Sequence, residues 1–185
     1  MEKILKQFNI NPRQLETFSP LTLAYIGDSF YEMTLRTVLV ERAEESTKSY
    51  TEQGSMYAKA TTQAKMMNAL LGRDDLSANA ASDGGRDVTG KVLTDDGEKD
   101  ATDKMLSENE RKDAVSKIYI TKEEFAAYKR GRNACPSHGA RNSSMHDYRV
   151  ATGFEAMIGW LYLSDNEERA IELINKGWKL IGIEV

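Results

Sequence analysis

The chain has 185 residues, 29 acidic against 25 basic, a net charge of −4 and a single cysteine, Cys135. That length fits one domain with a real helical core, and one cysteine excludes an internal disulfide framework. The longest strongly apolar stretch, Val150 to Leu163, is too short to span a bilayer and carries Glu155, and the start lacks the pattern of a secretory leader. A cytoplasmic protein with no membrane association is therefore expected.

In chain order, Ser19-Pro20 opens a helix, with serine as the cap and proline in the first helical position. From Leu21 to Val40, the apolar residues Leu23, Ile26, Phe30 and Met33 recur at a helical period. A second helical region covers Lys48 to Leu71 and stops near Gly72. Residues 72–116 then change character, with glycines, many Asp and Ser, and few large apolar side chains. This segment holds twelve acidic residues against seven basic ones, a net of −5, which leaves +1 for the remainder of the chain. It reads as an acidic insertion within a single domain spanning 1–185, away from any phosphate-binding face. Its later part, from Ala101, could form a helix using Met105, Leu106, Val115 and Ile118.

Regular structure resumes at Thr121, which forms a capping-box pattern with Glu124; the helix Lys122 to Arg130 is expected to end at Gly131. A polar loop, Arg132 to His146, leads to a helix over Tyr148 to Leu163 that is apolar around most of its circumference and belongs at the centre of the fold. Ser164 and Glu167 repeat the capping-box spacing before a last helix with Ala170, Leu173, Ile174 and Trp178 inward. No alternating strand pattern competes, so the fold class is all-α.

Two carboxylates do not suit this apolar setting. Asp28 follows Leu23-Ala24-Tyr25-Ile26-Gly27, and Glu155 lies within Gly153-Phe154-Glu155-Ala156-Met157. An ionised carboxylate there is costly unless it meets a cation or several donors. Two of them on two central helices suggest a shared cation, and oxygen ligands with several waters are what Mg²⁺ prefers. Glu32, four residues after Asp28, shares its helix face and either joins the site or edges it. Gly27, Gly153 and Gly159 interrupt helices at a cost of about 1 kcal/mol each against alanine. Close helix approach around a buried site accounts for them, and so does packing alone.

Lys129, Arg130, Arg132, Asn133, Arg141, Asn142 and Arg149 surround the polar loop. Such residues can lay cations and amide donors along duplex RNA, which is read mainly by shape through phosphates and 2′-hydroxyls. A solvated surface is the plainer account of the same charges. Cys135, His138 and His146 lack the second pair that a zinc site needs, Asp95-Asp96-Gly97 lacks the ligands of a calcium loop, and neither a Walker loop nor a nucleophile elbow is present.

Leu23-Ala24-Tyr25-Ile26-Gly27-Asp28, followed by Phe30-Tyr31-Glu32, resembles the signature helix of the ribonuclease III catalytic domain. Phe154-Glu155-Ala156-Met157-Ile158-Gly159-Trp160-Leu161-Tyr162-Leu163 resembles the second acidic helix of that family. Tyr128-Lys129-Arg130-Gly131-Arg132-Asn133-Ala134 and Tyr148-Arg149 are similar to the Mini-III branch, which lacks a double-stranded-RNA-binding domain. The resemblance covers roughly residues 15–71 and 119–180, with no counterpart for the middle segment. It implies an all-helical homodimer that cleaves both strands of an RNA duplex, matures 23S ribosomal RNA precursor ends, and holds Mg²⁺ through Asp28 and Glu155. On that reading the loop from Lys129 to Arg149 would position the duplex, with Lys129, Arg130, Arg132, Asn133, Arg141 and Arg149 as its candidate RNA contacts. Ala24 and Thr152 match positions that are acidic ligands in larger relatives, a reduction shared by Mini-III, and Thr61 stands where the family has lysine. Two other readings fit the same residues: a catalytically silent ribonuclease III fold that binds ribosomal RNA, and an all-α interaction module whose carboxylates pair with arginines.

Overall fold

At Ser19 the amide of Thr22 donates to the serine Oγ (3.0 Å), and Pro20 opens the first long helix. The computed structural model describes residues 1–42, 47–72, 120–134 and 144–184. The helices along them are α1 (Glu2–Gln7), α2 (Pro20–Arg42), α3 (Thr47–Tyr57), α4 (Ala60–Leu70), α5 (Lys122–Ala134), α6 (Met145–Leu163) and α7 (Glu167–Leu180), with a 3-10 turn at Leu15–Thr17. Among the described residues there is no strand, and no helix is long and apolar enough to cross a membrane. The insertion expected at 72–116 and the helix expected from Ala101 lie outside the described residues.

α6 is the axis of the molecule. Val150, Ala151, Phe154, Met157, Ile158 and Leu161 are buried on it, and α2, α4, α5 and α7 pack around it. Burial on several sides matches a helix apolar around most of its circumference. Glycines set how closely the neighbours approach. A Cβ on Gly27 would strike the Glu155 carbonyl, and one on Gly159 would strike the Leu23 carbonyl, so α2 and α6 meet backbone to backbone. On the other flank a Cβ on Gly153 would lie 2.9 Å from the Tyr128 carbonyl and 2.6 Å from the Tyr128 ring, and Gly131 abuts Thr152, Gly153 and Ala156.

Gly131 therefore does not end its helix as its sequence context suggests. It lies within α5, buried, because α6 occupies the space a side chain would need, and the helix runs on to Ala134. The capping box at its start does form: the Thr121 amide donates to Glu124 Oε2 (2.9 Å) and the Glu124 amide to Thr121 Oγ1 (3.2 Å). Arg169 of α7 also donates to both Glu124 oxygens, at 2.9 and 3.3 Å. α6 starts three residues earlier than expected, at Met145, because Ser144 caps it by accepting from the Asp147 amide (3.0 Å).

Two further expectations are corrected. The region 48–71 is two helices: Lys59 adopts an extended conformation (φ −64°, ψ 143°) as the cap of α4. The break is pinned by the buried Tyr31 hydroxyl, which donates to the Tyr57 carbonyl (2.9 Å) while accepting from Trp178 Nε1 (3.1 Å). The spacing of Ser164 and Glu167 forms no capping box, since Ser164 Oγ donates back to Trp160 and Leu161 carbonyls and the Glu167 carboxylate accepts from the Met1 amine (2.6 Å). Ala170, Leu173, Ile174 and Trp178 do face inward on α7. On α2, by contrast, only Leu23 of the four residues that carry the apolar period is buried. Ile26, Phe30 and Met33 instead line an open cleft of about 1070 Å³ beneath α1, which includes neither Asp28 nor Glu155.

Candidate active site

Asp28 follows the glycine at which α2 touches α6, and Glu155 supplies the carbonyl that Gly27 touches. The crossing thus brings one turn of each helix together and makes the two carboxylates neighbours. Both are partly buried, Glu155 more deeply than Asp28, and their like charges oppose each other. Burial, and secondarily the Asp28 charge, pushes Glu155 from an ordinary 4.5 up to about 8. Burial and then Glu32 raise Asp28, against a smaller opposing pull from Gln63 and Arg36. Glu32 is salt-bridged to Arg36, so it edges the pair while already holding a cationic partner.

A third residue beside the pair comes from α4. Gln63 is 1 % exposed, on the same face as Ala64, Met66 and Met67, and its amide favours the ionised form of both carboxylates. Neither Nε2 nor Oε1 of Gln63 nevertheless meets full hydrogen-bond geometry with any protein group. A buried amide left so costs about 1–3 kcal/mol. Two carboxylates that resist joint ionisation beside an unsatisfied amide form a donor set suited to a small, hard divalent cation with waters completing its shell. Among the described residues no cluster of three or more His, Cys, Asp and Glu could hold a metal, so such an ion would draw on neutral donors as well. Ala24 and Thr152, buried nearby, add no charge, and the Thr152 hydroxyl is committed to the Tyr148 carbonyl (3.0 Å).

These shifts have a consequence for pH. A carboxyl whose folded pKa lies above its unfolded one contributes stability that is complete below the unfolded value and is lost as pH rises through the folded value. Chelator-treated protein should therefore melt at progressively lower temperature from about pH 5 to about pH 8, the window set by Glu155 at 4.5 unfolded and about 8 folded. A divalent cation should recover more of the loss at the alkaline end, where it no longer competes with the proton. A melting temperature independent of pH across that window would contradict the pairing.

The basic residues divide. Lys129, Arg130, Asn133 and Arg149 are exposed and Arg132 is partly so. Lys129 lies 5.6 Å from the Phe125 ring, and Arg130 donates to the Phe18 carbonyl (3.2 Å). Four of them stand on the last turns of α5 rather than in a loop, and their neighbour Gly131 abuts Thr152 to Ala156, the turn of α6 that carries Glu155. Arg141 and Asn142 lie outside the described residues, as do Cys135 and His138.

Comparison with known proteins decides the family. The Ribonuclease III domain matches residues 21–166, a span that contains both carboxylates and all four crossing glycines. The chain belongs to the ribonuclease III family. It is similar to the Mini-ribonuclease 3 of Enterococcus faecalis, 31% identical over 170 residues that cover 92% of this chain and 96% of that protein. The Mini-ribonuclease 3 of Clostridium tetani is 27% identical over 94% of this chain and 85% of its own. A crystal structure of a Fusobacterium nucleatum protein shares the fold, with a TM-score of 0.55 at 18% identity, covering 86% of this chain and 90% of that one. This ribonuclease is accordingly an endoribonuclease of the Mini-III kind, from a family that acts on double-stranded RNA and is generally dependent on divalent metal. Gln63 is the residue that sequence reasoning missed. Its signal was a polar residue at helical spacing from Met66, Met67 and Leu70, on a face otherwise apolar.

Proposed function

We propose that this ribonuclease cuts duplex RNA with Mg²⁺ held between Asp28 and Glu155, as a homodimer that matures the ends of 23S ribosomal RNA precursors. The observation that carries this reading is the meeting of the two carboxylates at the α2–α6 crossing, where burial, and then like charge, disfavours their joint ionisation. When bound there, the cation supplies positive charge against the scissile phosphate and acidifies water. The protein's part is to hold the carboxylates at fixed spacing, through a crossing with no side chain at its centre, and to orient the duplex. Glu32, paired with Arg36, stands at the rim and shapes the field around Asp28. The whole chain is read as one catalytic domain, with the acidic segment an insertion into it. Two such domains would present one site to each strand, matching the two-fold symmetry of a duplex.

Lys129, Arg130, Arg132, Asn133 and Arg149, with Arg141 from the adjoining stretch, are assigned to the RNA backbone. For the described residues the support is full or partial exposure, charge and, for the four on α5, position beside the turn of α6 that carries Glu155; Arg141 joins them by charge and place in the sequence. Removing Lys129 or Arg149 should weaken duplex binding similarly for unrelated sequences. It should also flatten the dependence of log affinity on log salt by roughly one unit of slope for each phosphate no longer neutralised. An unchanged salt slope would remove these residues from the interface. The reading as a whole is tested by incubating the purified chain with a duplex containing the paired ends of a 23S precursor, with Mg²⁺ and with a chelator. Discrete, Mg²⁺-dependent double-strand cuts are expected; undiminished cutting in chelator, or none with Mg²⁺, would overturn it.

A further inference from the structure

Gln63 lies with Ala64, Met66 and Met67 on the buried face of α4, where a leucine would leave no buried polar atoms. Its amide completes no hydrogen bond of good geometry, yet it stands beside Asp28 and Glu155, the two groups whose charges most need a donor. Its chemical type is also informative. A glutamate there would add a third negative charge to a pair that already repel, and a lysine would take the place of the cation. A neutral amide offers N–H donors to carboxylate oxygens without competing for the ion. The fold invests in the placement as well: the extended Lys59 begins α4 just before it, and the Tyr31–Tyr57 hydrogen bond fixes the preceding chain.

We propose that Gln63 is a positioning residue of the cleavage site, its buried amide holding the Asp28 and Glu155 side chains in the paired arrangement that accepts a divalent cation. This rests on the reading that those two carboxylates share the ion. Outer-shell partners of metal ligands commonly set metal affinity tenfold to a hundredfold without touching the metal.

The test uses the full chain without RNA. Mg²⁺ is titrated calorimetrically into the parent, Gln63→Leu, Gln63→Glu and Asp28→Asn, and each is melted in chelator. Gln63→Leu should melt in chelator at or above the parent temperature, because an unsatisfied amide is gone, yet bind Mg²⁺ roughly 10- to 100-fold more weakly. Parental affinity in that variant, or a melting temperature that falls in step with affinity, would reduce Gln63 to a packing residue and overturn the proposal. Should Gln63→Leu not fold, Gln63→Glu decides: a lower melting temperature in chelator and a larger Mg²⁺-induced rise than the parent are expected, and a rise no larger overturns it. Asp28→Asn separates the levels. If it leaves Mg²⁺ binding unchanged, the shared-cation reading falls, and the role of Gln63 with it.

Discussion

Asp28→Asn and Glu155→Gln should each lower duplex cleavage at saturating Mg²⁺ by on the order of 10³-fold or more, while duplex binding stays near the parent level. Charge stabilisation by a bound cation contributes several kcal/mol to such a reaction, and each tenfold in rate corresponds to about 1.4 kcal/mol. Both substitutions keep side-chain volume while exchanging one acceptor oxygen for an amide donor, so neither should open a cavity at the crossing. Their effect on stability should run opposite to their effect on activity. At about pH 8 in chelator, Glu155→Gln removes a group that the fold holds at a pKa of about 8 against 4.5 unfolded, and with it the loss of stability on deprotonation. A variant that folds better without metal and cleaves far less with it is the signature of a carboxylate kept for function. Parental cleavage rates in either variant would exclude a shared catalytic ion.

Gly159→Ala should destabilise the protein by about 1–3 kcal/mol, although alanine is the better helix former by about 1 kcal/mol. The added Cβ would enter the van der Waals shell of the Leu23 carbonyl and lie 2.9 Å from Ile26 Cγ2, and a backbone oxygen cannot swing aside. Relief requires α2 to move away from α6, which draws Asp28 away from Glu155. Cleavage should therefore fall even at temperatures where the variant is fully folded, since a displacement of about 1 Å can cost 10²-fold. Gly54→Ala is the matched control. That glycine is also inside a helix, but its Cβ would meet only Leu39 Cδ1 at an ordinary 3.5 Å, so a gain of up to about 1 kcal/mol is expected. Chemical denaturation of the two variants reads both signs, and a stabilised Gly159→Ala would show that α2 and α6 do not need to touch.

Much of the fold was legible in short stretches of sequence. The caps at Ser19 and Thr121, the all-round apolar α6 and the inward face of α7 depend on patterns a few residues long, and the structure shows them as expected. The two carboxylates were legible for a different reason: an acidic side chain amid apolar neighbours is conspicuous wherever it ends up. What failed were expectations in which a local pattern competed with a distant partner. Gly131 has the appearance of a helix terminus and is a point of contact with α6; Ser164 and Glu167 have the spacing of a capping box, and the Met1 amine takes the glutamate. The helical period through Ile26, Phe30 and Met33 did form in α2, where Phe30 packs partly buried against the core and all three line a cleft.

By itself, the sequence determined the all-helical class, the apolar axis around which helices gather, and the identity of the two acidic groups that resist burial. Only the tertiary structure decided that Gly27 and Gly159 put those groups on adjoining turns, that the 48–71 region breaks at Lys59, and that Gln63 sets a buried amide beside both carboxylates. The reason lies in range. Helix period and capping are settled by neighbours a turn away, whereas the side of a helix that is buried, and the company a charge keeps there, depend on residues far away along the chain.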